Sequence, residues 1–304
     1  MDIPVVDFST YDPASAGAIE ALARQVKAAL GETGFMTVIN SGVDEAAISG
    51  VFARSSAFFR RDSAFKERFL YRDAGENFGY QGLGMESLEP GKPGDLKESF
   101  TLRLNKNAPF ADERWPSAEF RDTVTAFYGE CTAAANRMLH VMASAFALAP
   151  DYFSSTVGGE NVALRLLRYP GGQAVEEGGE QYGAGAHTDY GILTLLFQRD
   201  VGGLEVQDQQ GNWQAVPCVP GAVVINTGDL MEHWTNGRFR STLHRVRPMT
   251  TSRERYSVAF FVDPDSATLV DALPACVDAA NPLRYAPITA GEHIRRKLER
   301  THNH

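Results

Sequence analysis

From Asp151 onward the chain breaks into short apolar runs divided by glycine, proline and asparagine, and this texture constrains the fold more than any other feature. The runs are VALRLLRY, GILTLLF, GGLEVQD, NWQAV, GAVVIN, STLHRVRP and RYSVAFFV. Runs of this length with turn residues between them form antiparallel strands, and many such strands close into a sandwich or barrel. The first half reads differently. IPVVDF (Ile3 to Phe8) and FMTVIN (Phe35 to Asn40) have the composition of short strands. Between them Ile19, Leu22, Val26 and Leu30 recur at spacings of three and four, which predicts an amphipathic helix from Ala14 to Leu30, closed by Gly31 and Gly34.

A second helix is expected from about Asp44, with Ile48, Val51, Phe52 and Phe59 on its apolar side. Ser117 to Ala149 carries a long helical pattern, and Thr289 to Arg300 a last one. Asn77 to Gly94 is glycine-rich and reads as irregular; its Phe78 and Tyr80 could line a pocket or anchor the loop. The expected architecture is α+β, with a helical N-terminal region over 1–115 and a mainly β core with flanking helices over 116–304.

Composition narrows the function classes. The 304 residues are 43% hydrophobic and 22% charged, enough to bury a sizeable core. Net charge is -9, and no lysine- or arginine-rich block appears, which argues against nucleic acid or an anionic membrane surface as partner. Cys131, Cys218 and Cys276 lie far apart with no C-x-x-C spacing, so neither a disulfide framework nor a thiolate zinc site is indicated. The opening MDIPVVDFST is unlike a secretory leader, and no apolar run approaches the roughly 20 residues of a membrane span. A cytoplasmic monomer acting on a small molecule is the expectation.

GAHTDYGILTL (Gly185 to Leu195) brings in the chemistry. Residues two apart on a strand share a face, so His187 and Asp189 can aim imidazole and carboxylate at one point. A third partner must come from elsewhere, and His233 and His244 are available. His244 sits in the extended run STLHRVRP, whereas His233 sits in the turn-like GDLMEHWTNG. A strand holds a ligand more rigidly, which favours His244. Two histidines and one carboxylate with open positions are the ligand set of non-haem Fe(II) oxygenases, and the same set also holds catalytic zinc.

Arg255 and Ser257 help to separate the two metals. They are again two apart, on a neighbouring strand, and a guanidinium beside a hydroxyl suits a carboxylate. A buried arginine in a β-core needs an anion. Fe(II), the Asp189 carboxylate and a dicarboxylate such as 2-oxoglutarate together leave one negative charge, which Arg255 neutralises; hydrolytic zinc has no such need. Each piece alone is common. The ordered set, with Arg255 eleven residues after His244, is hard to reach by chance.

With these pieces the chain resembles the Fe(II)/2-oxoglutarate-dependent dioxygenase superfamily, in its isopenicillin N synthase-like branch. IPVVDFS, GETGFMTVINSGV, LKESFTL and GDLMEHWTNGRFRSTLHRV extend the similarity over nearly the whole chain. The resemblance implies a jelly-roll (double-stranded β-helix) core, with His187, Asp189 and His244 as iron ligands and Arg255 and Ser257 on the far carboxylate of 2-oxoglutarate. Tyr169 in LLRYPGG matches a tyrosine that helps to hold this co-substrate, while Leu167 stands where plant members have asparagine. Period two puts Arg165 on the face of Tyr169, where it could grip an acidic group of the substrate or form a salt bridge at the sheet edge. Tyr182 is the one aromatic residue of the glycine-rich stretch 171–185, which could act as a lid over substrate.

The activity so implied is oxidation of a C–H bond by O2 and 2-oxoglutarate, by hydroxylation, desaturation or cyclisation, with succinate and CO2 released. Two alternatives stand beside it. In an isopenicillin N synthase-like oxidase the Arg-x-Ser pair holds the substrate's own carboxylate; in a non-catalytic module it holds a carboxylate ligand.

Overall fold

Besides a short helix capped by Asp62, three longer helices begin where a polar side chain caps them. Ser15, Asp44 and Ser117 each accept from backbone N–H groups of the first turn, which otherwise have no partner inside the helix. The computed structural model describes residues 2–73, 75–89, 91–104, 111–173 and 181–302. Along the first half run β1 (Val5–Asp7), α1 (Ala16–Glu32), β2 (Phe35–Ile39), α2 (Glu45–Phe59), α3 (Ser63–Lys66), β3 (Gly79–Gln81), β4 (Glu98–Leu102) and α4 (Ala118–Ser144). Gly31 falls inside α1, and the chain turns at Gly34, whose φ of 71° favours glycine. α4 stops short of the expected Ala149. Ala147 takes a φ of 55°, and Leu148 N–H returns to the Ala143 carbonyl at 3.0 Å, which closes the last turn.

The second half supplies β5 (Ala163–Tyr169), β6 (Ala184–His187), β7 (Leu193–Arg199), β8 (Leu204–Gln207), β9 (Trp213–Ala215) and β10 (Val223–Asn226). Then follow α5 (Asp229–Trp234), β11 (His244–Val246), β12 (Arg255–Val262), the small pair β13 (Leu269–Val270) and β14 (Ile288–Thr289), and α6 (Ala290–His302). An eight-stranded sheet has the order β1-β2-β10-β7-β12-β5-β4-β3, and a four-stranded sheet the order β6-β11-β8-β9. Strands from both halves of the chain therefore share the larger sheet.

Alternation along the strands sorts two cores. Leu164, Leu166, Leu195, Phe197, Val258 and Phe260 pack with α1, α2 and α4 on one face of the large sheet. Leu167, Tyr169 and Ala259 face the other way, against Val206 and Val246 of the small sheet. Each fully buried aliphatic or aromatic side chain contributes roughly 1.5–3 kcal/mol, so the helical face carries most of the stability.

The glycine-rich stretch is less irregular than its composition suggests, because β3 pairs antiparallel with β4. Phe78, just before β3, and Tyr80 within it are both buried in the core. Phe78 is fully buried edge-on to Trp115 at 4.9 Å and Phe100 at 5.4 Å, and the Tyr80 hydroxyl donates to buried Glu98. Both are anchors. Among the described residues no helix is long and apolar enough to cross a membrane.

Candidate metal and co-substrate site

β6 and β11 run antiparallel with His187 directly opposite His244. The register brings the imidazole centroids to 4.2 Å. In each ring Nδ1 lies against a backbone carbonyl, that of Gly185 at 2.8 Å for His187 and that of Thr242 at 3.0 Å for His244. A carbonyl only accepts, so Nδ1 carries the proton and the Nε2 lone pair is free to bind a metal. Asp189 Oδ1 stands 3.8 Å from His187 Nε2 and 3.6 Å from His244 Nε2. One ligand atom from each of the three side chains lies within 4.8 Å of the others.

The second carboxylate oxygen has another task. Asp189 Oδ2 accepts from Thr194 Oγ1 at 2.6 Å and from Asn226 Nδ2 at 2.7 Å, which leaves Oδ1 turned to the histidines. Burial opposes ionisation of Asp189, but His244, His187 and these two hydrogen bonds outweigh it and keep the carboxyl below its usual range. Burial, reinforced by His244, pushes His187 down to about 3, so its ring is neutral near neutral pH. A neutral His187 imidazole and an ionised carboxylate, with His244 Nε2 completing the set, fit a divalent cation with positions left for further ligands.

Arg255 reaches the interior from the opposite sheet. β12 neighbours β7 and β5, not β11, so the neighbouring strand expected from the sequence lies across the sandwich from His244. Along its inward row, Arg255 is paired with Tyr169, Ser257 with Leu167 and Gln198, and Ala259 with Arg165 and Leu196. Arg255 is wholly buried, with its guanidinium 4.7 Å from the Tyr169 ring centroid. It donates to Ser257 Oγ at 3.2 Å and to Gln198 Oε1 at 3.0 Å. Among the described residues its Nε and the Gln198 Nε2 are buried with no partner, and no carboxylate pairs with the guanidinium. Leaving a buried charge unpaired costs about 3–5 kcal/mol. A dicarboxylate co-substrate offers the anion these donors lack.

Arg165 shares the inward face, as period two implies, but β5 lies inside the sheet rather than at its edge. Its Nη2 donates to Glu86 Oε2 at 2.6 Å and Ser99 Oγ at 2.8 Å, and its Nε is buried without a partner among the described residues. Burial disfavours the Glu86 charge, yet Arg165 and Lys97 hold its pKa at about 2. The segment between β3 and β4 that carries Glu86 is fastened over β6, through Gly185 N–H to Asp95 at 2.9 Å and Ala186 N–H to Glu89 at 3.3 Å. Tyr182 is held elsewhere. Arg245, which alternates outward between inward His244 and Val246, donates to its hydroxyl at 3.2 Å. Within the expected lid, 174–180 lie outside the described residues. His233, on α5, stacks on Tyr285 with centroids 4.2 Å apart and takes no part in the ligand group.

Sequence reasoning missed Thr194, Gln198 and Asn226. The first two follow from period-two counting along LTLLFQR, in which Thr194, Leu196 and Gln198 face inward. Asn226 needs the pairing of β10 with β7, which sets it opposite Thr194.

Residues 161–264 match the profile of the 2OG-Fe(II) oxygenase superfamily, and residues 3–118 that of the non-haem dioxygenase in morphine synthesis N-terminal region. The 2-oxoglutarate-dependent dioxygenase citB of Monascus ruber is 35% identical over 86% of this chain and 84% of its own. A full-length Neurospora crassa protein, solved in complex with alpha-KG and thymine, superimposes with a TM-score of 0.84 at 28% identity, over 97% of this chain and 96% of that one. A 2OG-Fe(II) oxygenase family protein from Caulobacter crescentus gives 0.83 at 32% identity, with 98% of each chain covered.

Proposed function

The chain belongs to the 2OG-Fe(II) oxygenase superfamily and is an Fe(II)/2-oxoglutarate-dependent oxygenase with a jelly-roll core, and we propose that it oxidises an unactivated C–H bond of a small molecule. The observation that carries the assignment of residues is the convergence of three ligand atoms within 4.8 Å, faced from the opposite sheet by a buried arginine with no carboxylate partner among the described residues. Held by His187, Asp189 and His244, Fe(II) supplies the redox chemistry by which O2 and 2-oxoglutarate oxidise a substrate, with succinate and CO2 as co-products.

The chain's own groups do the rest. Thr194 and Asn226 fix the Asp189 carboxylate, so Oδ1 needs no reorientation when metal arrives. Arg255 and Ser257 bind the far carboxylate of 2-oxoglutarate, with Tyr169 beneath the guanidinium. The Gln198 amide donates from the other side of Ser257, in place of the contact that Leu167 cannot make. Leu167, Leu88, Val246 and Ala184 keep water from this interior. Arg165 with Glu86 forms a polar anchor for the substrate, and the thymine bound in the Neurospora crassa structure supports a small molecule with a polar edge. A monomer in the cytoplasm is in keeping with three free, scattered cysteines and a net charge of -9.

Succinate release tests this reading. Substrate-dependent succinate in step with O2 consumption is expected from the iron-loaded protein. Oxidation of a substrate without succinate would favour the oxidase alternative, in which Arg255 holds the substrate's own carboxylate.

A further inference from the structure

The middle residue of H-x-D, Thr188, lies just past the end of β6. In this chain it meets the C-terminal helix. Lys297 of α6 donates to Thr188 Oγ1 at 2.9 Å, and the same ammonium pairs with Asp229 Oδ2 at 2.8 Å. Asp229 is a junction. Its backbone N–H donates to the Asp189 carbonyl at 2.9 Å, its Oδ1 accepts from Ser241 Oγ at 2.6 Å, and His293 Nε2 of α6 stands 3.4 Å from its Oδ2. Ser241 lies three residues before His244. One acidic residue, through its backbone N–H and its carboxylate, thus joins both ligand-bearing segments to one helix. That helix is in turn pinned at its start, where Ala290 and Gly291 donate to the carbonyls of Thr268 and Ser266. His233, unused by the metal group, packs inside this junction 5.4 Å from His293, ring centroid to ring centroid.

We propose that α6 is a clasp for the metal site, with Lys297 and Asp229 as positioning residues that fix the spacing of the 187–189 and 244 segments. Loss of the Lys297 ammonium removes the donor to Thr188 Oγ1, leaves the Asp229 carboxylate to His293 and Ser241, and lets the ligand-bearing segments drift apart. The effect on metal affinity rests on the Fe(II) reading above, whereas the mechanical coupling does not.

The test uses the full chain with Lys297→Met, Lys297→Arg and Thr188→Val. Amide exchange of the metal-free protein over 186–191 reports the clasp directly, and Fe(II) affinity by chelator competition reports its consequence. Partners that orient metal ligands typically change metal affinity by about 10–100-fold, so Lys297→Met is expected to weaken Fe(II) about 10-fold and to speed exchange of that segment. Lys297→Arg should restore both, and Thr188→Val, which keeps the volume, should reproduce much of the loss if Lys297→Met does not fold. Unchanged exchange and affinity in a folded Lys297→Met protein would overturn the proposal, as would a lowered Tm with exchange of 186–191 and Fe(II) affinity intact. A wild-type chain that binds no Fe(II) would sink the metal reading, and exchange alone would then decide the clasp.

Discussion

The two faces of the eight-stranded sheet are built from alternate residues of the same strands, yet they obey different rules. On the helical face Leu164, Leu166, Val258 and Phe260 are buried among apolar neighbours with nothing left over. On the inner face Arg255 and Ser257 are equally hidden and Gln198 is half-buried, but the Arg255 Nε and the Gln198 Nε2 are buried with no partner among the described residues. The first face is optimised for stability. The second holds an unsatisfied demand for an anion, which natural sequences keep only where a ligand meets it.

Metal-ligand variants should break the comparison most sharply. His187→Ala, Asp189→Ala and His244→Ala are expected to abolish Fe(II) binding while leaving a folded chain, whereas His233→Ala retains the metal; chelator competition and far-UV circular dichroism together read this out. Phe260→Ala, on the other face, should cost about 3–5 kcal/mol of stability in denaturant melts and leave the Fe(II) affinity of the folded fraction unchanged.

Arg255→Ala gives the most instructive contrast. Removing a buried charge that lacks a counter-ion should leave the ligand-free protein no less stable, while 2-oxoglutarate binding falls by about 2–5 kcal/mol; differential scanning with and without co-substrate measures both. A smaller effect is expected of Gln198→Leu, about 1–3 kcal/mol in co-substrate affinity, with no loss for a 2-oxo acid that lacks the distal carboxylate.

The last effect concerns pH. Glu86 is held at about 2 against an ordinary 4.5. Its charged form is the one the fold favours, so its contribution is complete above 4.5 and is lost as pH falls through about 2. Glu86→Gln should flatten that part of the acid-stability curve, and an unaltered curve would contradict the Arg165–Glu86 pairing.

Much of the site was legible because strands convert spacing into direction. Arg255 and Ser257 share a face by alternation along β12, His187 and Asp189 converge although Asp189 lies past the end of β6, and His244 was distinguishable from His233 by its extended surroundings. What sequence could not supply was sheet membership. Arg255 reaches the interior from the far sheet, and Asn226 reaches Asp189 only because β10 pairs with β7. For Phe78 and Tyr80 the sequence left pocket lining and anchoring both open, because glycine-rich composition hid the three-residue strand β3, beside and within which both rings are buried in the core. Helix ends were off by a few residues where backbone geometry, such as the positive φ of Ala147, decided them.

Anaerobic titration of 2-oxoglutarate into the Fe(II)-loaded protein tests the central claim most directly. A visible metal-to-keto-acid charge-transfer band is expected, saturating at low co-substrate in the wild type and only at much higher concentration in Arg255→Ala. Bound iron with no band at any concentration, or a band equally tight in the variant, would contradict the joint assignment of the metal ligands and the buried arginine.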